Sequence, residues 1–332
     1  MQQVKDTKNI LMTYISLPED KDRLLVFYLA MEEYIARYMN VDDAFFMWQT
    51  APTVIFGRNQ LINNEVNIDY CREKGIKMFR RKSGGGCVYS DMNNIMFSYV
   101  TKEENVNMTF NRYVNMVALV LCKLGVDARA TGRNDILIDG KKVSGNAFYH
   151  IPGRSIVHGT MLFDTCLENM VASITPSDAK LVSKGVKSVR QHITLLKDHI
   201  DLSIDEFKKF VRSNLCNNEI VLDQNAIVKI EELMQEYLDI DFIYGKNPKY
   251  SIIRSKRIEK VGSFEVQIEL KNVYIKDVNL MGDFFLLGDI GAVLHQLRGI
   301  RYEREAISNM LPNNIGDYIL NMTKQDMVEL LI

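Results

Sequence analysis

The sequence predicts an α+β protein with a large N-terminal domain and a small C-terminal one. Three observations carry this reading: an amphipathic helical stripe followed at once by strand patterns, a hairpin signal near mid-chain, and a break in pattern near residue 246. The helix is expected over 22–39. Leu24, Tyr28, Met31, Ile35 and Tyr38 fall on one stripe, and Arg23, Glu32, Glu33 and Arg37 lie elsewhere. Strands follow at 44–48 and 53–56, separated by Pro52. A helix over 110–124 ends at Gly125, a suitable C-terminal cap. Asp139-Gly140 sits between two strand-like runs and predicts a tight hairpin turn. A further strand is expected over 155–163, and helices over 203–216 and 223–239. Tyr244-Gly245-Lys246-Asn247-Pro248 reads as a linker, because glycine and proline end regular structure. Beyond it, 265–270 alternates as a half-buried strand does, and helices are expected at 303–311 and 323–332. The domains are therefore 1–246 and 250–332, as a length of 332 residues suggests.

Composition narrows the class. Apolar content of 47% supports a large core, so disulfides are not needed to hold it. The 41 basic and 42 acidic residues nearly cancel, which argues against a general nucleic-acid or membrane surface. Cys71, Cys87, Cys122, Cys166 and Cys216 are scattered, with no C-x-x-C spacing. Free thiols in a reducing cytoplasm are expected, and no zinc site. Met1 to Asp6 lacks the apolar core of a signal peptide, and the apolar run 116–122 is too short to span a bilayer.

The most informative stretch is Arg80-Arg81-Lys82-Ser83-Gly84-Gly85-Gly86-Cys87-Val88-Tyr89. Strands are expected on either side, at 75–79 and 94–100. A cationic, glycine-rich bend between them suits phosphate, because exposed amides and guanidinium groups both favour anions. A plain glycine-rich hairpin would use the same residues. The hairpin offers a second candidate: Gly132-Arg133-Asn134-Asp135 precedes it, and Lys142-Val143-Ser144-Gly145-Asn146-Ala147 follows the turn. Lys142 could neutralise phosphate or carboxylate as a point charge, or be a solvated hairpin lysine. No Walker-type phosphate loop, serine-hydrolase elbow or H-E-x-x-H pair occurs. His158 reads as a packed core histidine, and His150, His192, His199 and His295 are isolated. Cys87 reads as a small buried hydrophobe rather than a nucleophile.

Together these pieces resemble the lipoate-protein ligase A family of the biotin/lipoate ligase superfamily. Its R-R-x-S-G-G-G-x-V-[YF]-H-D signature matches Arg80 to Asp91, its G-R-N-D element Gly132 to Asp135, and its K-V-S-G-[SN]-A element Lys142 to Ala147. H-G-T-[LM]-L matches His158-Gly159-Thr160-Met161-Leu162, K-G-[IV]-x-S-V-R matches Lys184 to Arg190, and Y-G-K-[SN]-P matches Tyr244 to Pro248. Two departures stand out: Ser90 replaces the usual His, and Asn93 replaces the glycine often found before Asn94. The loss of a ring nitrogen at Ser90 implies an altered rate or nucleotide position.

The resemblance implies a mixed β-sheet flanked by helices, with a small α+β accessory domain. It also implies a two-step reaction. Lipoate attacks the α-phosphorus of ATP to give lipoyl-AMP and pyrophosphate, and an acceptor lysine then takes the lipoyl group and releases AMP. Lys142 is the implied catalytic residue, between carboxylate and α-phosphate. Arg81 would grip phosphate. Gly84, Gly85, Gly86, Cys87, Val88 and Tyr89 would surround the nucleotide, and Ser83 would lie at the lipoyl end. Asn94 and Asp135 would lie near the nucleotide or Mg²⁺, with Asp135 the candidate metal ligand. Ser144, Gly145, His158, Gly159 and Thr160 complete the implied site. Implied acceptors are acyltransferase subunits of 2-oxoacid dehydrogenases and the glycine-cleavage H protein or its relatives, met by a basic rim near Lys184, Lys187 and Arg190. A monomer is expected, with a hinge at 244–249. Related alternatives are an ATP-independent octanoyl or lipoyl transferase, which would need an acyl-carrying cysteine, and a non-catalytic binding protein. The biotin ligase G-R-G-R-x-G-R pattern is absent.

Overall fold

A computed structural model describes residues 12–60, 62–103, 105–131, 134–174, 192–244, 252–271 and 273–332. Gly132, Arg133, the 184–190 segment and most of the linker lie outside these residues. The larger part is built on an eight-stranded mixed sheet. Its strands are β1 (Met12–Ser16), β2 (Asp43–Trp48), β6 (Asn94–Thr101), β7 (Ala128–Ala130), β8 (Asp135–Ile138), β9 (Lys141–Ile151), β10 (Arg154–Leu162) and β11 (Cys216–Val221), in the order β11-β1-β2-β6-β10-β9-β8-β7. A second sheet has β3 (Thr53–Phe56) between β4 (Lys77–Arg80) and β5 (Val88–Ser90).

The central strand β6 shows how the core forms. All eight of its residues are buried. Ile95, Phe97 and Tyr99 face the helices Val106–Lys123 and Ile204–Leu215, while Met96 and Val100 face the helix Leu25–Tyr38. Side chains alternate across a strand, so a run with apolar residues on both faces needs cover on both sides.

The first helix departs from expectation. It spans Leu25–Tyr38, and ten of its residues are buried, Glu32 and Glu33 among them. It lies between the large sheet and the helix Gln224–Leu238, so more than one face is covered. Leu24 and Tyr38, read as part of the apolar stripe, are exposed at the two ends. Each fully buried Leu or Ile contributes about 1.5–3 kcal/mol, whereas a buried carboxylate costs stability unless paired. Both glutamates are paired. Glu33 accepts from Tyr237 and contacts Lys82 at 2.7 Å and Arg37 at 3.3 Å, and Glu32 meets His158 at 2.9 Å.

The hairpin turn holds as expected, with Asp139 at φ 51° and Gly140 at φ 76°, joining β8 to β9. The glycine loop does not lead from one hairpin strand to the other. It leaves β4 and enters the short strand β5; β4 pairs parallel to β3 and β5 antiparallel to it. The loop therefore crosses over β3 between the outer strands of the small sheet. Three residues are too few to show an alternation, which hides β5 in the sequence.

The C-terminal part is an antiparallel meander of β12 (Ile252–Ile258), β13 (Gly262–Lys271) and β14 (Tyr274–Asp283). It packs on the helices Ile290–Gln296, Arg304–Met310 and Lys324–Leu331 around a core of its own. The end of β14 reaches the larger part. Gly282 N donates to Asn59 O at 2.7 Å, Gly85 N donates to Phe284 O at 3.1 Å, and Phe285 stacks on Phe148 with centroids 5.3 Å apart.

Candidate active site

The three consecutive cations before the glycines have three different tasks. Arg80 donates from Nε to Phe242 O at 2.9 Å and from a terminal nitrogen to Gln60 O at 2.7 Å, anchoring the start of the loop. Lys82 lies 2.7 Å from Glu33 and 2.7 Å from Glu236, over the Tyr237 ring. Arg81 turns under the glycines. Its Nε donates to Ser83 Oγ at 2.9 Å, one terminal nitrogen donates to Ile55 O at 3.3 Å, and the other donates to Gly84 O and Gly86 O, both at 2.7 Å. A guanidinium has five N–H donors, so this arrangement leaves one unassigned. Arg81 is thus first the organiser of the loop: it draws two carbonyls inward, and a phosphate would find at most one of its hydrogens. Burial pushes its pKa down to about 10, so it is charged at neutral pH. Gly85 has φ +86°, a conformation that favours glycine, and its amide is the one bonded to Phe284 O.

The facing wall is built by β8, β9 and β10. Lys142 Nζ lies 2.8 Å from Asp135 Oδ1 across the hairpin. Its side chain folds over Gly145, where a Cβ would stand 2.6 Å from Nζ. Asn146 projects over Gly159 of the neighbouring strand, where a Cβ would meet Asn146 Oδ1 at 1.8 Å. Asn146 Nδ2 in turn donates to Asn134 O at 3.0 Å. These contacts explain the K-x-x-G-N and H-G-T spacings: the small residues make room for the polar side chains.

Between the walls lies a cavity of about 250 Å³. Leu29, Ile55, Val88, Met96 and Ala147 supply its apolar surface. Arg81, Gly85, Gly86, Cys87, Asn134, Lys142, Gly145, Asn146, His158, Gly159 and Thr160 line the rest, together with Asp283 from the end of β14. Most of the residues expected from the sequence therefore meet at one place. Six of them do not line it. Ser83 is fully buried and bonded to His158, Gly84 packs on Phe284 O, and Asp135 pairs with Lys142. Tyr89 is buried, and Ser144 is buried with its Oγ near Asn146. Asn94 is fully buried and donates to Tyr89 O and Thr165 Oγ1, behind the loop. Ser90, the position of the family His, is also buried behind the loop, with no hydrogen-bond partner for its Oγ among the described residues.

Burial pushes the Cys87 thiol up to about 12, so the cysteine at the cavity is not a thiolate at neutral pH. Asp283 at the cavity and Glu32 behind it, on His158, were not expected; Asn146 stands in the K-V-S-G-[SN]-A element with no role assigned to it. Glu32 had a faint signal: it continues the spacing Leu25, Leu29, Ala36 on one face of its helix. Among the described residues no group of three or more His, Cys, Asp or Glu is placed to hold a metal, and no helix is long and apolar enough to cross a membrane.

Comparison with known proteins agrees with this geometry. The lipoyl protein ligase A/B catalytic domain matches residues 25–215, and the bacterial lipoate protein ligase C-terminus matches residues 247–331. The lipoate-protein ligase LplJ of Bacillus subtilis is 34% identical over 316 residues, which covers 91% of this chain and 95% of that protein. The crystal structure of P. falciparum LipL1 in complex with lipoate has the same fold, with a TM-score of 0.75 at 22% identity over 96% of this chain and 97% of that one. The structure of a bi-partite lipoate protein ligase and its E2 lipoyl domain from Thermoplasma acidophilum gives a TM-score of 0.65 at 27% identity, over 73% of this chain and 100% of that one. The match runs through both parts of the molecule and includes the residues that form the cavity: the chain belongs to the lipoate-protein ligase family.

Proposed function

We propose that this chain activates lipoate with ATP to lipoyl-AMP in the cavity between the glycine loop and the β8–β9 hairpin, and then transfers the lipoyl group to a lysine of an acceptor protein. One observation carries the reading: an ammonium and a glycine loop face one cavity that also has apolar walls. The apolar part suits the alkyl chain and dithiolane, each buried CH₂ contributing about 0.8 kcal/mol. The carboxylate and the triphosphate repel each other, so bringing them together requires a cation between them. Lys142 supplies it once its ammonium leaves Asp135 for the reacting oxygens. No covalent enzyme intermediate is needed: the carboxylate oxygen bonds to the α-phosphorus, the bond to pyrophosphate breaks, and the acceptor amine later displaces AMP. The protonated Cys87 thiol disfavours the thioester route of a transferase. Asp135 would hold Mg²⁺ with the phosphates, offering the hard oxygen donor that this ion prefers.

The division into a catalytic part, 1–246, and an accessory part, 250–332, supports a moving cap. Phe284 O occupies the Gly85 amide and the Asp283 carboxylate lies by Gly86, where an anion would otherwise bind. Nucleotide binding therefore requires the end of β14 to withdraw. We take the acceptors to be lipoyl domains of 2-oxoacid dehydrogenases or glycine-cleavage H-type proteins, the protein to be cytoplasmic, and the chain to act as a monomer. Incubation with lipoate, ATP and a panel of apo lipoyl domains, followed by intact-mass measurement, tests the reading. The expected result is addition of one lipoyl mass that requires ATP. Lipoylation that proceeds without ATP from an acyl-protein donor would overturn it.

A further inference from the structure

A buried chain of hydrogen bonds connects the loop-ordering arginine to a carboxylate in the first helix. Arg81 Nε donates to Ser83 Oγ at 2.9 Å, Ser83 Oγ lies 2.7 Å from His158 Nε2, and His158 Nδ1 lies 2.9 Å from Glu32 Oε2. From the other side Trp48 Nε1 donates to Ser98 Oγ at 2.9 Å, and Ser98 Oγ donates to Glu32 Oε1 at 2.6 Å. All six residues are buried.

The ends of this chain set the direction of its outer bonds. A guanidinium and an indole can only donate, and an ionised carboxylate can only accept. Ser98 and the His158 Nδ1 proton therefore both point at Glu32. In the tautomer with its proton on Nδ1, the imidazole presents Nε2 as an acceptor, to which the Ser83 hydroxyl can donate. Ser83 Oγ is then free to accept from Arg81. In that tautomer every bond runs toward one carboxylate. The arrangement resembles a nucleophilic triad only in its residue types. Ser83 is fully buried, does not line the cavity, and its oxygen is already held by Arg81.

We propose that Glu32 is a positioning residue for adenylate formation, acting through His158 and Ser83 to hold Arg81 beneath the glycine loop. Without its charge, the partners no longer agree on direction. A glutamine could present its amide hydrogens to His158 Nδ1, which would move the ring proton to Nε2. That proton would then face Ser83 Oγ, displacing the serine hydrogen from its acceptor and crowding the Arg81 contact. The loop carbonyls of Gly84 and Gly86 would lose their fixed anchor.

The proposal rests on the adenylating reading of the cavity, so the test has two readouts. The first is lipoate-dependent exchange of pyrophosphate into ATP by full-length wild type, Glu32→Gln, Ser83→Ala and the double variant. Glu32→Gln is expected to lower kcat about 10- to 100-fold, the rate equivalent of one hydrogen bond to a charged group, with little change in the KM for lipoate. The two substitutions should be strongly non-additive, because they break the same chain. Additive losses, or an unchanged kcat, would overturn the proposal. The second readout needs no activity: amide hydrogen exchange over 84–87 should quicken in Glu32→Gln and in Ser83→Ala, and unchanged exchange in both would equally overturn it. Should Glu32→Gln fail to fold, His158→Gln and His158→Leu replace it. The glutamine can still donate to Glu32 and accept from Ser83, and should retain more activity and loop protection than the leucine; equal behaviour would refute the relay. Absence of exchange activity in wild type, with loop protection still dependent on Glu32, would fail the adenylation reading and leave the positioning role standing.

Discussion

The two walls of the cavity are held in different ways. The glycine loop is fastened from behind by Arg81, which is 4% exposed and has four N–H bonds to neighbours. The hairpin wall carries its charge in a part-exposed pair, with the Lys142 and Asp135 side chains 36% and 29% exposed and, among the described residues, in ionic contact with each other. A buried guanidinium that loses partners has no water to replace them, so the loop's shape is built in before any ligand arrives. A half-exposed ion pair is worth little and exchanges readily. The lesson is a division of labour: the rigid wall supplies shape, and the labile one supplies the charge that moves to the reacting atoms.

Four measurements can break or sharpen that contrast. The largest effect is expected for Lys142→Ala, with adenylate formation slowed by about 10²–10³-fold, as when a donor to transition-state charge is lost. Its melting temperature should fall only slightly, since a part-exposed pair contributes little. A rate close to wild type in single-turnover lipoyl-AMP formation would remove Lys142 from the chemistry. Arg81→Lys should invert the pattern. An ammonium cannot reach Ser83, Gly84 and Gly86 together, so the melting temperature should drop by about 5 °C or more along with the rate. An Arg81→Lys protein as stable as wild type would mean that the loop holds its own shape.

Asp283→Asn tests the cap. Removing a carboxylate from beside Gly86 should lower the KM for ATP by about two- to fivefold, the scale of a surface charge interaction. A higher KM would show that Asp283 helps bind the nucleotide instead. The smallest effect concerns the thiols. Burial pushes Cys71 up to about 11, and Cys87 and Cys216 up to about 12. Unfolded thiols ionise near 9, so the folded state holds more protons between these values. Stability is therefore complete below pH 9 and should decline as pH rises from 9 to 12. A denaturation midpoint flat over that range in a protein free of other alkaline transitions would contradict this burial.

Much of this molecule was legible in the chain. The Asp139-Gly140 turn, the alternation around Val266 and Ile268, and the glycine triplet are local patterns, set by neighbours in sequence. Glu32 lies off the apolar stripe, and its burial could not be read there because its partner His158 is 126 positions away and nothing in a helix announces such a pairing. Arg81 was recognised as a cation of the loop, but that one of its terminal nitrogens holds two backbone carbonyls of that loop is something no residue pattern reveals. Asp283 had no signal at all, since its place at the cavity comes from how the small sheet meets the large part.

By itself the sequence determined many of the elements, their order and the family, because backbone propensity and motif spacing act over a few residues. Only the tertiary structure decided which charges face ligand and which hold the frame. That choice depends on burial and on the count of donors against acceptors, quantities that exist only once distant segments are packed together.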